Sequence, residues 1–232
     1  MSLRSQRPAL GVLALIAVLA VGFLLGSVVR LPSGSSSGAP AGDSVDVGFA
    51  QDMSVHHQQA VQLANIALSG SADPVVRSLA FDISSTQQVQ VGQLQGWLSL
   101  WGQPLLRTGG YMGWMTDAAM QSTATGPAGM APMTGMQRAA DGTVAVMPGM
   151  ASAQELTQLR ATTGPQLDVG FLQLMLRHHQ GGAEMLTYAA RSAVEPVVRT
   201  FAGQVAATQD AEVTAIQQLL GERGAQPLPL TG

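Results

Sequence analysis

All four histidines of this 232-residue chain occur in two adjacent pairs, His56-His57 and His178-His179, and a methionine, Met53 or Met175, precedes each pair by three residues. Positions three and four apart share one face of a helix, so each pair predicts a patch of two imidazoles and one thioether. Imidazole is the commonest side-chain metal ligand near neutral pH, and a thioether adds a soft donor that favours Cu(I) over hard cations. The two patches therefore predict a metal site, provided that the fold brings them together.

The two patches occupy equivalent positions of an internal repeat. Residues 46–104 align without gaps on residues 168–226 at a shift of 122 residues, with 21 identities in 59 positions. The identities are clustered, since 46–49 recurs as 168–171 and Pro-Val-Val-Arg at 74–77 recurs at 196–199. The sequence therefore predicts that one supersecondary unit is present twice.

Each unit has the pattern of a helical hairpin. Apolar residues recur at helical spacing, and no window shows the sustained alternation of a strand. Asp73-Pro74 and Glu195-Pro196 open the second helix of each unit, where a proline at the first helical position leaves no hydrogen bond unmade. Two hairpins that cannot bury their apolar stripes alone would bury them against each other. We therefore expect an all-α fold, a four-helix bundle built from two tandem helical hairpins around a pseudo-twofold axis.

The N-terminal segment predicts a membrane anchor. Residues 9–29 are an unbroken apolar stretch, with Arg4 and Arg7 before it and Arg30 after it. This length suffices to cross a bilayer core of about 30 Å, and it exceeds the roughly 7–15 apolar residues of a cleavable signal peptide. The two preceding arginines favour a cytoplasmic N-terminus. We therefore expect an uncleaved transmembrane signal anchor at 1–30, a cleaved signal peptide being the alternative, then a flexible tether at 31–45 and an extracytoplasmic domain at 46–232.

Composition excludes several classes of function. Beyond residue 30 the chain has eight arginines, fourteen acidic residues and no lysine. No basic stripe is present, so we expect no nucleic-acid partner. The chain has no cysteine, which excludes disulfides, zinc thiolate sites and iron–sulfur clusters.

A methionine-rich connector, residues 105–167, separates repeat one (46–104) from repeat two (168–226). So long a connection without strong periodicity is usually functional or disordered. Its methionines fit soft-metal capture, an apolar contact surface or compositional drift, and without periodicity they are harder to explain as core. Near its end, Ser152 and Glu155 have the form of a capping box for a helix reaching about Ala161, and Gly164-Pro165 begins the third long helix. The connector methionines are Met112, Met115, Met120, Met130, Met133, Met136, Met147 and Met150.

The same residues also have a purely structural interpretation. A histidine pair on an amphipathic helix usually has one buried, locally hydrogen-bonded member and one at the boundary, and methionine is ordinary core filler. Two adjacent glycines inside a helix, Gly181-Gly182, cost about 1 kcal/mol each relative to alanine, which indicates that another group approaches that backbone closely. Gln87 and Gln209 are expected to make polar contacts between helices.

The doubled motif resembles an exported bacterial family, domain of unknown function 305. The resemblance rests on Met-x-x-His-His-Gln at 53–58 and 175–180, on Met-Pro-Gly-Met at 147–150 and on Trp-Leu at 97–98. It covers roughly residues 46–226 and implies a ferritin-like four-helix fold and, because some members have been linked to extracytoplasmic copper binding, copper as the ion. Leu63 stands where the second repeat has Met185, and Leu94 where the family often has methionine, so repeat one offers fewer thioethers. The implied metal ligands are His56, His57, His178, His179, Met53, Met175 and Met185.

Three functions compete. The first is a membrane-anchored extracytoplasmic protein that sequesters or transfers copper, with the metal ion as its partner and no catalysis required. The second is a non-catalytic accessory or scaffold protein with a membrane-protein partner and structural histidines. The third is a di-iron oxidoreductase, which needs a Glu from two helices and Glu-x-x-His from two others. The residues three before the histidines are Met53, Ser54, Met175 and Leu176, so iron has less support than copper, as has zinc.

Overall fold

The computed structural model describes residues 38–115, 144 and 146–230. This part of the chain is all-α: it has five helices, no strand, and one isolated bridge between Tyr111 and Val144. One compact unit begins at Ala39. The helices are α1 (Val45–Gly70), α2 (Pro74–Leu100), α3 (Ala153–Ala161), α4 (Gly164–Ser192) and α5 (Pro196–Glu222).

Local capping explains where two of the helices begin. The Asp73 side chain accepts from the amides of Val75 and Val76, 2.8 and 3.3 Å away, and Pro74 occupies the first turn of α2. Ser152 and Glu155 form the predicted reciprocal capping box at the start of α3. These two predicted helix starts are confirmed. They could be predicted because a capping interaction depends on residues that are neighbours in sequence.

The turn that precedes α5 is held by a residue from another helix. Glu195 precedes Pro196 as predicted, but its side chain makes no capping hydrogen bond. The carboxylate of Asp46 on α1 accepts instead, from the amides of Val194 at 3.0 Å and Glu195 at 2.8 Å. This contact ties the beginning of the first hairpin to the turn of the second.

The two hairpins, α1–α2 and α4–α5, meet mainly through α1 and α4. The beginning of α1, including Met53, shares one hydrophobic cluster with the end of α4, including Met185. The end of α1, including Leu63, shares a second cluster with the beginning of α4, including Met175. α1 and α4 therefore run antiparallel, and both histidine pairs lie midway along their helices, between the two clusters.

Both described ends of the connector are attached to α1. The carboxylate of Asp52 accepts from the amide of Met112 at 2.7 Å and from the indole N–H of Trp114 at 2.8 Å. The side-chain amide of Gln59 donates to the carbonyl of Ala151 at 2.9 Å and accepts from its N–H at 2.6 Å. Two described stretches of the connector, around residues 112–114 and at Ala151, are thus held beside the helix that carries His56 and His57.

The predicted anchor at 1–30, residues 31–37 of the tether, and the connector residues Met120, Met130, Met133 and Met136 lie outside the described residues. Among the helices that the structure does describe, none is both long enough and apolar enough to span a membrane.

Candidate functional site

The structure brings one histidine of each pair into direct contact. The imidazole rings of His56 on α1 and His178 on α4 have centroids 3.8 Å apart and planes inclined by 36°. His178 and His179 have centroids 6.3 Å apart. All four histidines are buried, none of them more than 1% exposed. The two patches therefore form one internal imidazole cluster, which comprises His56, His57, His178 and His179.

Two adjacent glycines on α4 allow other groups to approach the helix closely. A Cβ on Gly182 would lie 2.9 Å from the Cε1 atom of His56, and a Cβ on Gly181 would lie 2.2 Å from the carbonyl oxygen of Pro148. Gly149, at φ +76°, lies so close to α4 that a Cβ there would be 2.4 Å from the carbonyl oxygen of Arg177. The prediction that another group approaches Gly181-Gly182 is confirmed. The imidazole of His56 approaches one glycine, and the 148–149 loop approaches the other.

Burial favours the neutral form of His56, His57 and His178. The pKa of His56 and of His57 is lowered to about 3, mainly by loss of solvation and in addition by the neighbouring histidines, His179 for His56 and both His56 and His179 for His57. Burial also lowers the pKa of His178 well below its ordinary value, with His56 as the next cause. A neutral imidazole is the form that can ligate a metal, because one ring nitrogen then has a free lone pair.

Seven of the eight ring nitrogens in the cluster are buried without a hydrogen-bond partner within the described part of the chain. The Pro148 carbonyl lies near His56 and the Gln90 side chain near His57, without completing a hydrogen bond of normal geometry. Leaving a buried polar group unpaired costs about 1–3 kcal/mol. The structural interpretation expected one locally hydrogen-bonded and one boundary histidine in each pair, and the structure shows neither arrangement for His56-His57.

The eighth nitrogen has a partner on α5. The Nε2 atom of His179 lies 2.6 Å from a carboxylate oxygen of Glu212. Gln90 on α2, beside His57, is the residue that the 122-residue shift aligns with Glu212. Neither Glu212 nor Gln90 was among the ligands expected from sequence. Their spacing could have identified them, because each lies three residues, about one helical turn, after Gln87 or Gln209, which were expected to make contacts between helices.

Those two glutamines, Gln87 and Gln209, are 2% and 4% exposed. Their amide nitrogens and oxygens have no hydrogen-bond partner among the described residues. Both side chains are therefore buried, and the polar contacts that they were expected to make between helices are not seen among the described residues. The second helix of each hairpin thus presents a glutamine, followed by Gln90 or Glu212, to the interior.

The predicted thioether ligands are all in the core. Met53, Met175 and Met185 are fully buried. Met53 and Met185 belong to one hydrophobic cluster. Met175 belongs to the other, in which α1 contributes Leu63, the repeat equivalent of Met185. The imidazole cluster therefore has a predicted thioether ligand from each hairpin on one side and from only one hairpin on the other.

Three connector methionines are buried on the side that contains Met53 and Met185. Met112, Met115 and Met147 are buried in the cluster that contains Met53 and Met185, and Met150 packs against it. The expectation that connector methionines are hard to explain as core is wrong for these three. Asp52 accepts a hydrogen bond from the amide of Met112, and Gly181 allows the 148–149 loop to lie against α4. These tertiary contacts bury sequence that has no periodic pattern.

Within residues 38–115, 144 and 146–230, no three or more His, Cys, Asp or Glu side chains are arranged to hold a metal ion. The donors that the structure does bring together are imidazoles, and the buried thioethers lie in the hydrophobic clusters before and after them along α1 and α4.

Comparison with known proteins gives a family and a set of similar structures. The family model described as "Domain of unknown function (DUF305)" matches residues 46–220, which include both histidine pairs. A putative secreted DUF305 protein from Streptomyces coelicolor is 36% identical, with a TM-score of 0.67 over 82% of this chain and 99% of that chain. A DUF305 fragment from Deinococcus radiodurans is 30% identical, with a TM-score of 0.56 over 77% of this chain and 96% of that chain.

A more distant structure shares the fold. CopM in its Cu(I)-bound form is 20% identical, with a TM-score of 0.53 over 76% of this chain and 96% of that chain. No curated protein sequence is significantly similar to the chain. The resemblance noted in the sequence is confirmed by the family model and by two solved structures at 30% identity or more. The chain therefore belongs to the DUF305 family.

Proposed function

We propose that this protein binds copper outside the cytoplasm and either sequesters the ion or transfers it. The observation that carries the proposal is the imidazole cluster, in which seven buried ring nitrogens lack a hydrogen-bond partner in the described structure. A bound ion would give some of these lone pairs a partner and so offset the cost of burying them. The proposed ligands are His56, His57, His178, His179, Met53, Met175 and Met185.

The donor types favour copper over iron or zinc. Imidazole with thioether is a soft set that suits Cu(I), whereas iron sites in helical bundles are built from carboxylates and zinc sites commonly use thiolates. CopM has been solved with Cu(I), with Cu(II) and with silver bound. Because that protein shares the fold at low identity, it supports soft-metal binding as compatible with this architecture, and the ligands are argued from this chain alone.

The two sides of the imidazole cluster would differ in their preference. Met53 and Met185 belong to the hydrophobic cluster on the side that also contains three buried connector methionines, while Met175 is the predicted thioether ligand on the other side. We assign Cu(I) to the sulfur-rich side. Ligand exchange among neutral imidazoles and thioethers would allow uptake and release with no covalent step.

We also propose the setting in which this happens. The four long helices would be a ferritin-like bundle produced by duplication of one hairpin, held at the outer face of the cell membrane by residues 9–29. Mass spectrometry of the mature protein tests the anchor, because cleavage after residue 29 would remove it. Protease accessibility of the domain in intact cells tests its location.

The metal test uses the purified full chain, freed of metal with a chelator and titrated with Cu(I), Cu(II), Zn(II) and Fe(II). We expect Cu(I) to bind most tightly and the double variant His56→Gln, His178→Gln to lose that binding. Met53→Leu with Met185→Leu should weaken Cu(I) binding more than Cu(II) binding, and Met175→Leu, on the sulfur-poor side, should weaken Cu(I) binding less than this double variant. Circular dichroism establishes that each variant is folded.

Two results would overturn the proposal. The first is a folded wild-type protein that binds none of the four ions, which would favour the scaffold function. The second is Fe(II) binding with an oxo-bridge absorption after oxidation, which would favour the di-iron function.

A further inference from the structure

The contact between His179 and Glu212 determines which nitrogen of this histidine carries a hydrogen. The two groups lie 2.6 Å apart, and the histidine side chain is fully buried while the glutamate is 15% exposed. A carboxylate accepts hydrogen bonds and cannot donate one, so the Nε2 atom of His179 must carry the hydrogen and donate it. In the neutral imidazole the free lone pair is then on Nδ1, which is buried and has no partner in the described structure.

The first hairpin lacks this device. The residue equivalent to Glu212 is Gln90, which lies beside His57. A side-chain amide can donate from its nitrogen or accept at its oxygen, so it does not select one tautomer. Both ring nitrogens of His57 are without a hydrogen-bond partner, as is the Gln90 side-chain oxygen. One substitution at a repeated position thus makes the two halves of the imidazole cluster chemically unequal.

We infer that Glu212 is a positioning residue that fixes the tautomer of His179 and thereby selects Nδ1 as the nitrogen which this histidine offers to a metal. The inference rests on the proposed function. A carboxylate that accepts from the far nitrogen of a metal-binding histidine also orients the ring and makes the other nitrogen more basic, and loss of such a partner typically weakens metal binding about 10–100-fold. His179 is therefore the pre-oriented ligand of the cluster, and His57 is the adaptable one.

The test has one measurement without metal and one with it. In the metal-free full chain, nitrogen-15 NMR of the histidine rings should show His179 with its hydrogen on Nε2. Glu212→Gln should weaken or abolish this preference, and Gln90→Glu should confer it on His57. Cu(I) affinity, measured by competition with a chromogenic Cu(I) chelator, should fall about 10–100-fold in Glu212→Gln.

Glu222→Gln is the matched control, because it removes the same charge from the exposed end of the same helix. It should leave both readouts unchanged. A wild-type His179 with its hydrogen on Nδ1 would overturn the inference, and this measurement does not depend on whether a variant folds. Unchanged Cu(I) affinity in a folded Glu212→Gln variant would overturn it as well. If the wild-type protein binds no copper, the proposed function fails, and the metal-free spectrum still decides the tautomer.

Discussion

Acidification should destabilise the metal-free protein through its buried histidines. Burial lowers the pKa of His56 and of His57 to about 3 and lowers that of His178 well below its ordinary value. In the unfolded chain these imidazoles titrate near pH 6.5. Between those pH values the unfolded state binds protons that the folded state does not, so the free energy of unfolding falls as the pH falls from about 7 towards about 3.

The size of the effect follows from the proton balance. At pH 5.5, an imidazole that stays neutral in the fold and has a pKa of about 6.5 when unfolded costs between about 1 and 2 kcal/mol of stability relative to pH 7.5. Three such histidines would cost about 4 kcal/mol, a large part of the roughly 5–15 kcal/mol that stabilises a typical domain. Asp52 opposes this loss, because burial raises the pKa of its carboxyl.

Urea denaturation followed by circular dichroism, at pH 7.5, 6.5 and 5.5 with a chelator present, measures this dependence. The variant His57→Gln removes one of the three histidines and leaves Asp52 in place. Its loss of stability between pH 7.5 and 5.5 should be smaller than that of the wild type by between about 1 and 2 kcal/mol. Identical losses in the two proteins would refute the reasoning, since His57 would then take up its proton without unfolding.

Two further changes probe the contacts that shape the site. Gly181→Ala should destabilise the protein by about 1–3 kcal/mol, because its Cβ would lie 2.2 Å from the Pro148 oxygen. At the exposed Gly203 on α5 a Cβ meets nothing within 4 Å, so Gly203→Ala should stabilise the protein by up to about 1 kcal/mol. Thermal denaturation compares the pair, and shifts of the same sign would contradict the close approach of the 148–149 loop. Asp46→Ala should cost about 1–2 kcal/mol, because the amides of Val194 and Glu195 lose their charged acceptor, against less than about 0.5 kcal/mol for the exposed Asp82→Ala. Equal costs in urea denaturation would show that the Asp46 contact does not stabilise the second hairpin.

Much of the candidate site was predictable because its residues are unusual in type and in spacing. Two histidine pairs, each with a methionine three residues earlier, stand out in any reading of the chain. Gly181-Gly182 likewise indicated a close approach, because two glycines inside a helix need a compensating contact. The identity of the approaching groups, His56 and the 148–149 loop, was not accessible, since neither is near those glycines in sequence.

The methionine connector marks where prediction from periodicity fails. Met112, Met115 and Met147 are core residues without a helical or strand pattern around them. Hydrophobic periodicity reports burial only where a regular element turns one face inward. An irregular segment held by single contacts, such as those to Asp52, is buried by the surface that receives it.

By itself the sequence determined the helices and the chemical character of the donors, because capping, proline placement and side-chain spacing act among residues close together in the chain. Only the tertiary structure decided which donors meet. His56 and His178 are in contact because α1 and α4 run antiparallel, and His179 meets Glu212 because α4 and α5 form a hairpin. The neutrality of His56, His57 and His178 also depends on the tertiary structure, since their pKa values are lowered mainly by the loss of water when the helices pack.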